Sequence, residues 1–269
     1  MLNEGTSTLQ QTAPPPAIGP DVVVRGRYVV VEQLDHGRFG SVYRATDTQG
    51  NGRSVALLMV PPEAVRAEAV LEAFMRELAR VQALRHPNIV KVLDFVRDGD
   101  LHAVVMEYVD GESLRAIVDS LRPERLWERD AVALVRAIGD ALVYAHARGV
   151  VHGDVRLENV IVTAQHEVKV LFTSACLASS APFAVEPRDD VRGLACIVYE
   201  LLAGEPPFMP QTANGWQAKP KRLKNLTRRQ WSVLRAVLIG HDDRMYSVSE
   251  FLDVLGAVGA GATEERGPG

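Results

Sequence analysis

The chain has 269 residues, 47% hydrophobic and 24% charged, which is ordinary globular usage and ample for a sizeable core. Thirty Lys and Arg against 34 Asp and Glu give a net charge of −4, which excludes a globally basic nucleic-acid binder. Two cysteines, Cys176 and Cys196, are too few for a disulfide framework, and no long apolar run or leader-like segment occurs, so a cytoplasmic, non-spanning domain is expected.

Residues 1–20 are polar, with Pro14, Pro15 and Pro16 in a row, and read as a flexible arm. Tyr28–Val31 begins a strand, Asp35-His36-Gly37 a turn, and Ser41–Ala45 and Ser54–Met59 two further strands. A helix is expected over 63–84, with Val70, Phe74, Leu78 and Val81 as its inward stripe. Strands fit Val90–Val96 and His102–Tyr108. Residues 128–148 carry Val132, Val135, Ile138, Leu142 and Ala145 on one helical face, and 190–203 is apolar enough to be buried all round. Ser247-Val248-Ser249-Glu250 is a capping box opening a final helix. Residues 259–269 read as a flexible tail, and the natural chain is free to continue past Gly269 into an anchor or further domain. Strands first and helices after indicate an α+β protein with two lobes.

Three motifs stand in order. Gly37 and Gly40 lie between two strands, where backbone amides can approach a phosphate, or where a hairpin simply needs positive φ. Val151-His152-Gly153-Asp154 precedes Asn159 by five residues, between apolar strands. Asp190 opens the all-apolar helix.

Together these residues resemble the bacterial form of the eukaryotic-type (Hanks-type) Ser/Thr protein kinase domain, over about residues 27–256. The resemblance implies a bilobal protein kinase-like fold spanning 21–258, with a β-rich N-lobe at about 27–106, a hinge at 107–110 and a mainly helical C-lobe at 111–256. It implies a nucleotide cleft built from Gly37, Gly40, Val42, Ala56, Met106, Glu107, Val109 and Ile161. Glu77 takes the place of the helix αC glutamate, Asp154 and Asn159 those of the catalytic loop, and Asp190 that of the aspartate beneath it. Val185-Glu186-Pro187 stands where A-P-E would, and Arg244 where a late C-lobe arginine would.

The chain departs from the family at Leu58, where the lysine of V-A-I-K is due, and no lysine precedes Lys91. Phe172 stands at the D-F-G aspartate and Gly153 at the H-R-D arginine. Losing two preorganised electrostatic contacts costs about 5–8 kcal/mol if additive, so the expectation is a catalytically inactive pseudokinase. Asp154, Asn159 and Glu77 are then vestigial, no cofactor or metal is required, and ATP binds weakly and without magnesium if at all. Such a domain would act as a protein-binding regulator or scaffold in bacterial signalling. Two alternatives stay open: an unconventional or very weak kinase or nucleotidyltransferase in which Arg38 or Arg53 replaces the lysine, and a metal-independent nucleotide sensor.

No acidic residue lies between Glu205 and Asp242, while Lys219, Lys221, Arg222, Lys224, Arg228, Arg229 and Arg235 all do. These seven cations leave the remainder of the chain at −11 against a total of −4. The patch is either a solvated face or a docking surface. Its expected partner is another protein with an acidic segment, ahead of nucleic acid or an anionic membrane surface.

Overall fold

The computed structural model describes residues 18–37, 40–61, 65, 67–99, 101–122, 128–173, 185–208, 220–240 and 246–256. The chain divides into two compact units, Met1–Phe74 with Val92–Tyr108, and Met75–Lys91 with Val109–Gly269. One boundary lies after Tyr108, and Met75–Lys91 group with the second unit.

The first unit is a six-stranded antiparallel sheet in the order β1-β2-β3-β4-β6-β5. Its strands are β1 (Val23–Val24), β2 (Tyr28–Gly37), β3 (Gly40–Asp47), β4 (Arg53–Val60), β5 (Val92–Asp98) and β6 (Leu101–Glu107). Alternate residues of β3, β4 and β6, among them Tyr43, Leu57 and Val105, face one core cluster. Asp47 is wholly buried and binds Arg27 through both carboxylate oxygens, at 2.7 and 2.9 Å. That bidentate pair fixes the end of β3 against the start of β2.

Two expectations are corrected in this unit. Asp35-His36-Gly37 is not a turn: β2 runs through it, and Gly37 pairs with Gly40 across residues 38–39. The strand continues because His36 Nδ1 meets Ser41 Oγ at 2.8 Å across the hairpin. Residues 18–20, read as part of a flexible arm, also have structure. Ile18 packs on the core cluster and donates its N–H to the Tyr43 hydroxyl, and β1 precedes the strand expected first.

Helix α1 (Glu68–Gln82) starts later than the sequence suggested, with Phe74, Leu78 and Val81 buried and Val70 half-buried. In the second unit, β7 (Gly111–Ser113), β8 (Val160–Thr163) and β9 (Val168–Val170) form a small antiparallel sheet. Around it stand α2 (Leu114–Leu121), α3 (Glu128–His146), α4 (Pro187–Ala203), α5 (Arg228–Ile239) and α6 (Val248–Leu255).

The α3 helix packs on α4 and α6, as its apolar face predicts. Helix α4 buries Val191, Leu194, Ile197, Val198 and Leu201 on several sides, leaving Arg192 exposed. Helix α6 begins at the expected Ser247–Glu250 capping box. Glu186 and Pro187, read as a remnant of A-P-E, serve instead as N-cap and first residue of α4, with Asp189 completing a capping box. Among the described residues, no helix is long and apolar enough to cross a membrane.

Candidate functional site

Each unit carries part of the expected site and is described by itself. In the first, Val42, Ala56 and Met106 share the sheet face opposite the core cluster. Val42 pairs with Leu58, Leu58 with Val104, and Ala56 with Met106. Leu58 is 4% exposed in this aliphatic row. Glu107 ends β6. Gly40 has φ of +134°, and a Cβ there would lie 2.0 Å from the Met59 carbonyl oxygen. The close approach of β3 to β4 therefore accounts for this glycine without a phosphate.

Neither arginine proposed to replace the lysine is shown beside Leu58. Arg53 projects from the opposite face of β4, because side chains alternate along a strand, and lies 3.7 Å from Asp47. Arg38 is outside the described residues. Glu77, which belongs to the second unit, is paired with Arg80 of its own helix at 3.2 Å.

In the second unit, Val109 follows the division and Ile161 pairs with Ser113 and Lys169 across β7, β8 and β9. The catalytic-loop residues are held from beneath by Asp190, which is fully buried in the first turn of α4. Its carboxylate accepts the backbone N–H of His152 at 2.8 Å and of Gly153 at 2.7 Å, and meets His146 Nε2 at 2.7 Å. Gly153 has φ of +77°, a left-handed conformation that an arginine would adopt only under strain, so its identity has a backbone reason.

His152 is completely buried, edge-on to Phe172 at 4.7 Å between ring centroids. Burial pushes its imidazole below the usual histidine range, so it is neutral there. Its Nδ1 accepts the Asp154 N–H at 3.2 Å. Asn159, at the end of a 3-10 turn (Leu157–Asn159), donates its side-chain N–H to the Asp154 carbonyl at 2.7 Å and carboxylate at 2.9 Å. Asp154 is thus aimed by its neighbours, while the helix beneath fixes the loop. Gly193 of α4 belongs to the same seat. A Cβ there would lie 2.5 Å from the Val155 carbonyl, so only glycine lets α4 come this close to the loop.

These residues do not fit a magnesium ion held as the resemblance implies. Phe172 offers no oxygen and is buried against His152. The Asn159 amide nitrogen faces Asp154, leaving one carboxylate and one amide oxygen where an octahedral cation wants more.

A second cluster escaped the sequence reading. Glu200 of α4 is 5% exposed and binds the Arg115 guanidinium through both oxygens, the longer contact being 3.2 Å. Arg122 adds a third bond at 3.1 Å. Arg115 also donates to Glu158 at 3.0 Å, and Glu158 accepts from Arg156 at 2.8 Å. The Arg156 charge is therefore engaged by Glu158. A lone glutamate within the apolar run Val198-Tyr199-Glu200-Leu201 was the available signal, since a buried carboxylate demands a cation.

Burial pushes the Glu158 carboxyl up, but hydrogen bonds from Arg156 and Arg115 outweigh it and hold the pKa at about 2, against 4.5 ordinarily. A depressed folded-state pKa stabilises above the unfolded value and is lost as pH falls through the folded one. Glu158→Gln should accordingly flatten the fall of the urea midpoint between about pH 4.5 and 2. A variant whose acid profile overlays the native one would refute that assignment.

Of the cationic patch, Lys221, Arg222, Lys224, Arg228 and Arg229 are exposed on the segment before α5 and its first turn. Lys219 and Arg244 lie outside the described residues.

The chain matches the protein kinase domain family over residues 28–182. It is 31% identical over 262 residues to the serine/threonine-protein kinase PkaA of Streptomyces coelicolor, covering 82% of this chain and 48% of that one. To PknB of Mycobacterium leprae it is 31% identical over 210 residues, 68% of this chain and 33% of that one. Among solved structures, the PknI kinase domain of Mycobacterium tuberculosis aligns with a TM-score of 0.75 at 28% identity, covering 91% of this chain and all of that one. The chain spans less than half the length of these curated relatives.

The expectations of a catalytically inactive scaffold and of a non-enzyme are overturned by these relatives, which are named serine/threonine-protein kinases. The physical reason lies in the arithmetic behind them: costs of missing contacts were summed, whereas losses among residues acting together are strongly non-additive. Protein kinases in general use ATP and a divalent metal. Sequence, strand order and the seat of the catalytic loop agree, and the chain belongs to the protein kinase family, with the protein kinase fold.

Proposed function

We propose that this domain is a cytoplasmic serine/threonine-protein kinase of low turnover, with ATP as phosphoryl donor and a protein hydroxyl as acceptor. The observation that carries the reading is the seating of Asp154. Asn159 orients its carboxylate, and Asp190 fixes the two backbone amides before it. In this role the Asp154 carboxylate takes the hydroxyl proton as the oxygen attacks the γ-phosphorus, and the bond from that phosphorus to the β,γ-bridging oxygen of ATP breaks. The neutral imidazole of His152 supports the loop rather than exchanging protons.

The aliphatic row at Leu58 and the buried Phe172 support weak ATP binding without a firmly seated magnesium ion, which accounts for the low turnover. No step is assigned to a metal. The test is transfer of labelled γ-phosphate from ATP to protein serine or threonine, measured over hours with and without divalent metal. Asp154→Asn should reduce the rate about 10²–10⁴-fold. Transfer unaffected by that substitution, or none by the native chain, would remove the proposal.

A further inference from the structure

Helix α5 begins with charge of the unfavoured sign. Thr227 caps it and forms a capping box with Gln230, and the next two residues are Arg228 and Arg229. A helix N-terminus carries partial positive charge, so two arginines there oppose the macrodipole. Nothing acidic lies in the first turn.

The preceding segment adds exposed Lys221, Arg222 and Lys224, and Arg235 lies further along the helix, also exposed. Among the described residues, Lys221 alone of these six pairs with a carboxylate, Glu205 at 2.9 Å. Arg228, Trp231 and Arg235 are spaced three and four apart, so they share one helix face, with Trp231 half-buried between the arginines. Like charges crowded on a helix start destabilise the free protein, and an anionic ligand relieves that repulsion.

We propose that this face of α5 and its leading segment bind an acidic peptide segment of another protein. The charge distribution favours a short ligand. The chain outside the seven cations carries −11, which repels an extended polyanion such as a nucleic acid or an anionic bilayer. Fields between exposed charges decay over about 8 Å at physiological salt, so a short peptide feels the patch and little of the remainder. The surface does not depend on the catalytic reading and would stand if Asp154 proved inactive.

The test uses the full chain and a fluorescein-labelled peptide of a dozen residues, mostly Asp and Glu, followed by fluorescence anisotropy. The comparison probes are its Asn/Gln counterpart, single-stranded DNA of equal charge, and vesicles containing phosphatidylserine. Saturable binding of the acidic peptide is expected, weakened at least about tenfold by the double variant Arg228→Glu, Arg229→Glu. The same variant should melt no lower than the native chain, because acids suit that helix end, so lost binding cannot be ascribed to lost folding. Undiminished binding by the variant would overturn the proposal. So would equal affinity for the uncharged peptide, or tighter binding to DNA or vesicles than to the acidic peptide.

Discussion

Asp190→Ala should cost about 2–6 kcal/mol of folding stability, because it strands the buried N–H of His152 and that of Gly153, each worth about 1–3 kcal/mol when left unmade. Domains of this kind are stable by only about 5–15 kcal/mol, so the variant should sit near the edge of folding. The loss of the His146 contact adds to it. Asp190→Asn retains one carbonyl acceptor and should fall between the two. A urea titration read by circular dichroism measures both. A cost below about 1 kcal/mol for the alanine variant would mean that the loop holds itself without the helix beneath it.

The second large effect is expected at Glu200. Glu200→Ala leaves two arginines facing a vacated, largely buried position, and removing one partner of such an ion cluster typically costs about 3–5 kcal/mol. Arg115→Met combined with Glu200→Leu should recover much of this loss, since apolar replacement of a whole buried pair is often neutral. The comparison is made on urea midpoints at constant slope. If the double variant proves as unstable as the sum of its singles, the pair is not coupled in the way the geometry indicates.

The contrast between these two carboxylates marks what was readable in the sequence. Asp190 was recognisable because it opens an apolar helix and follows the catalytic-loop motif in the family's order, although the segment before it is short. Glu200 sits in the same helix and is also buried, yet its partners Arg115 and Arg122 lie about eighty residues earlier. Only the fold brings them together. Similarly, the strands of the first unit from Tyr28 onward followed from β-branched and aromatic runs, whereas β1 and the hairpin closure at Gly37 and Gly40 did not. Glycine is a turn signal in isolation, and here the pairing of His36 with Ser41 extends the ladder past it.

Helix α5 was missed although Thr227 and Gln230 form a capping box, because the surrounding run of cations drew attention to charge rather than periodicity. Val42, Ala56 and Met106 were grouped only through the family resemblance; the register of β3, β4 and β6 places them on one sheet face. The local partners of Glu77 and Arg156 could not be ranked from sequence, because a charged side chain three or two residues away competes with any distant one.

Among the described residues, the bidentate interior ion pairs are made by arginine: Arg27 on Asp47 and Arg115 on Glu200. Guanidinium groups are not substrates for acyl transfer, whereas the ammonium of Lys221, whose side chain is 79% exposed, is an accessible one. Acetylation at Lys221 would therefore remove one charge from the basic surface without touching either of these arginine-made pairs.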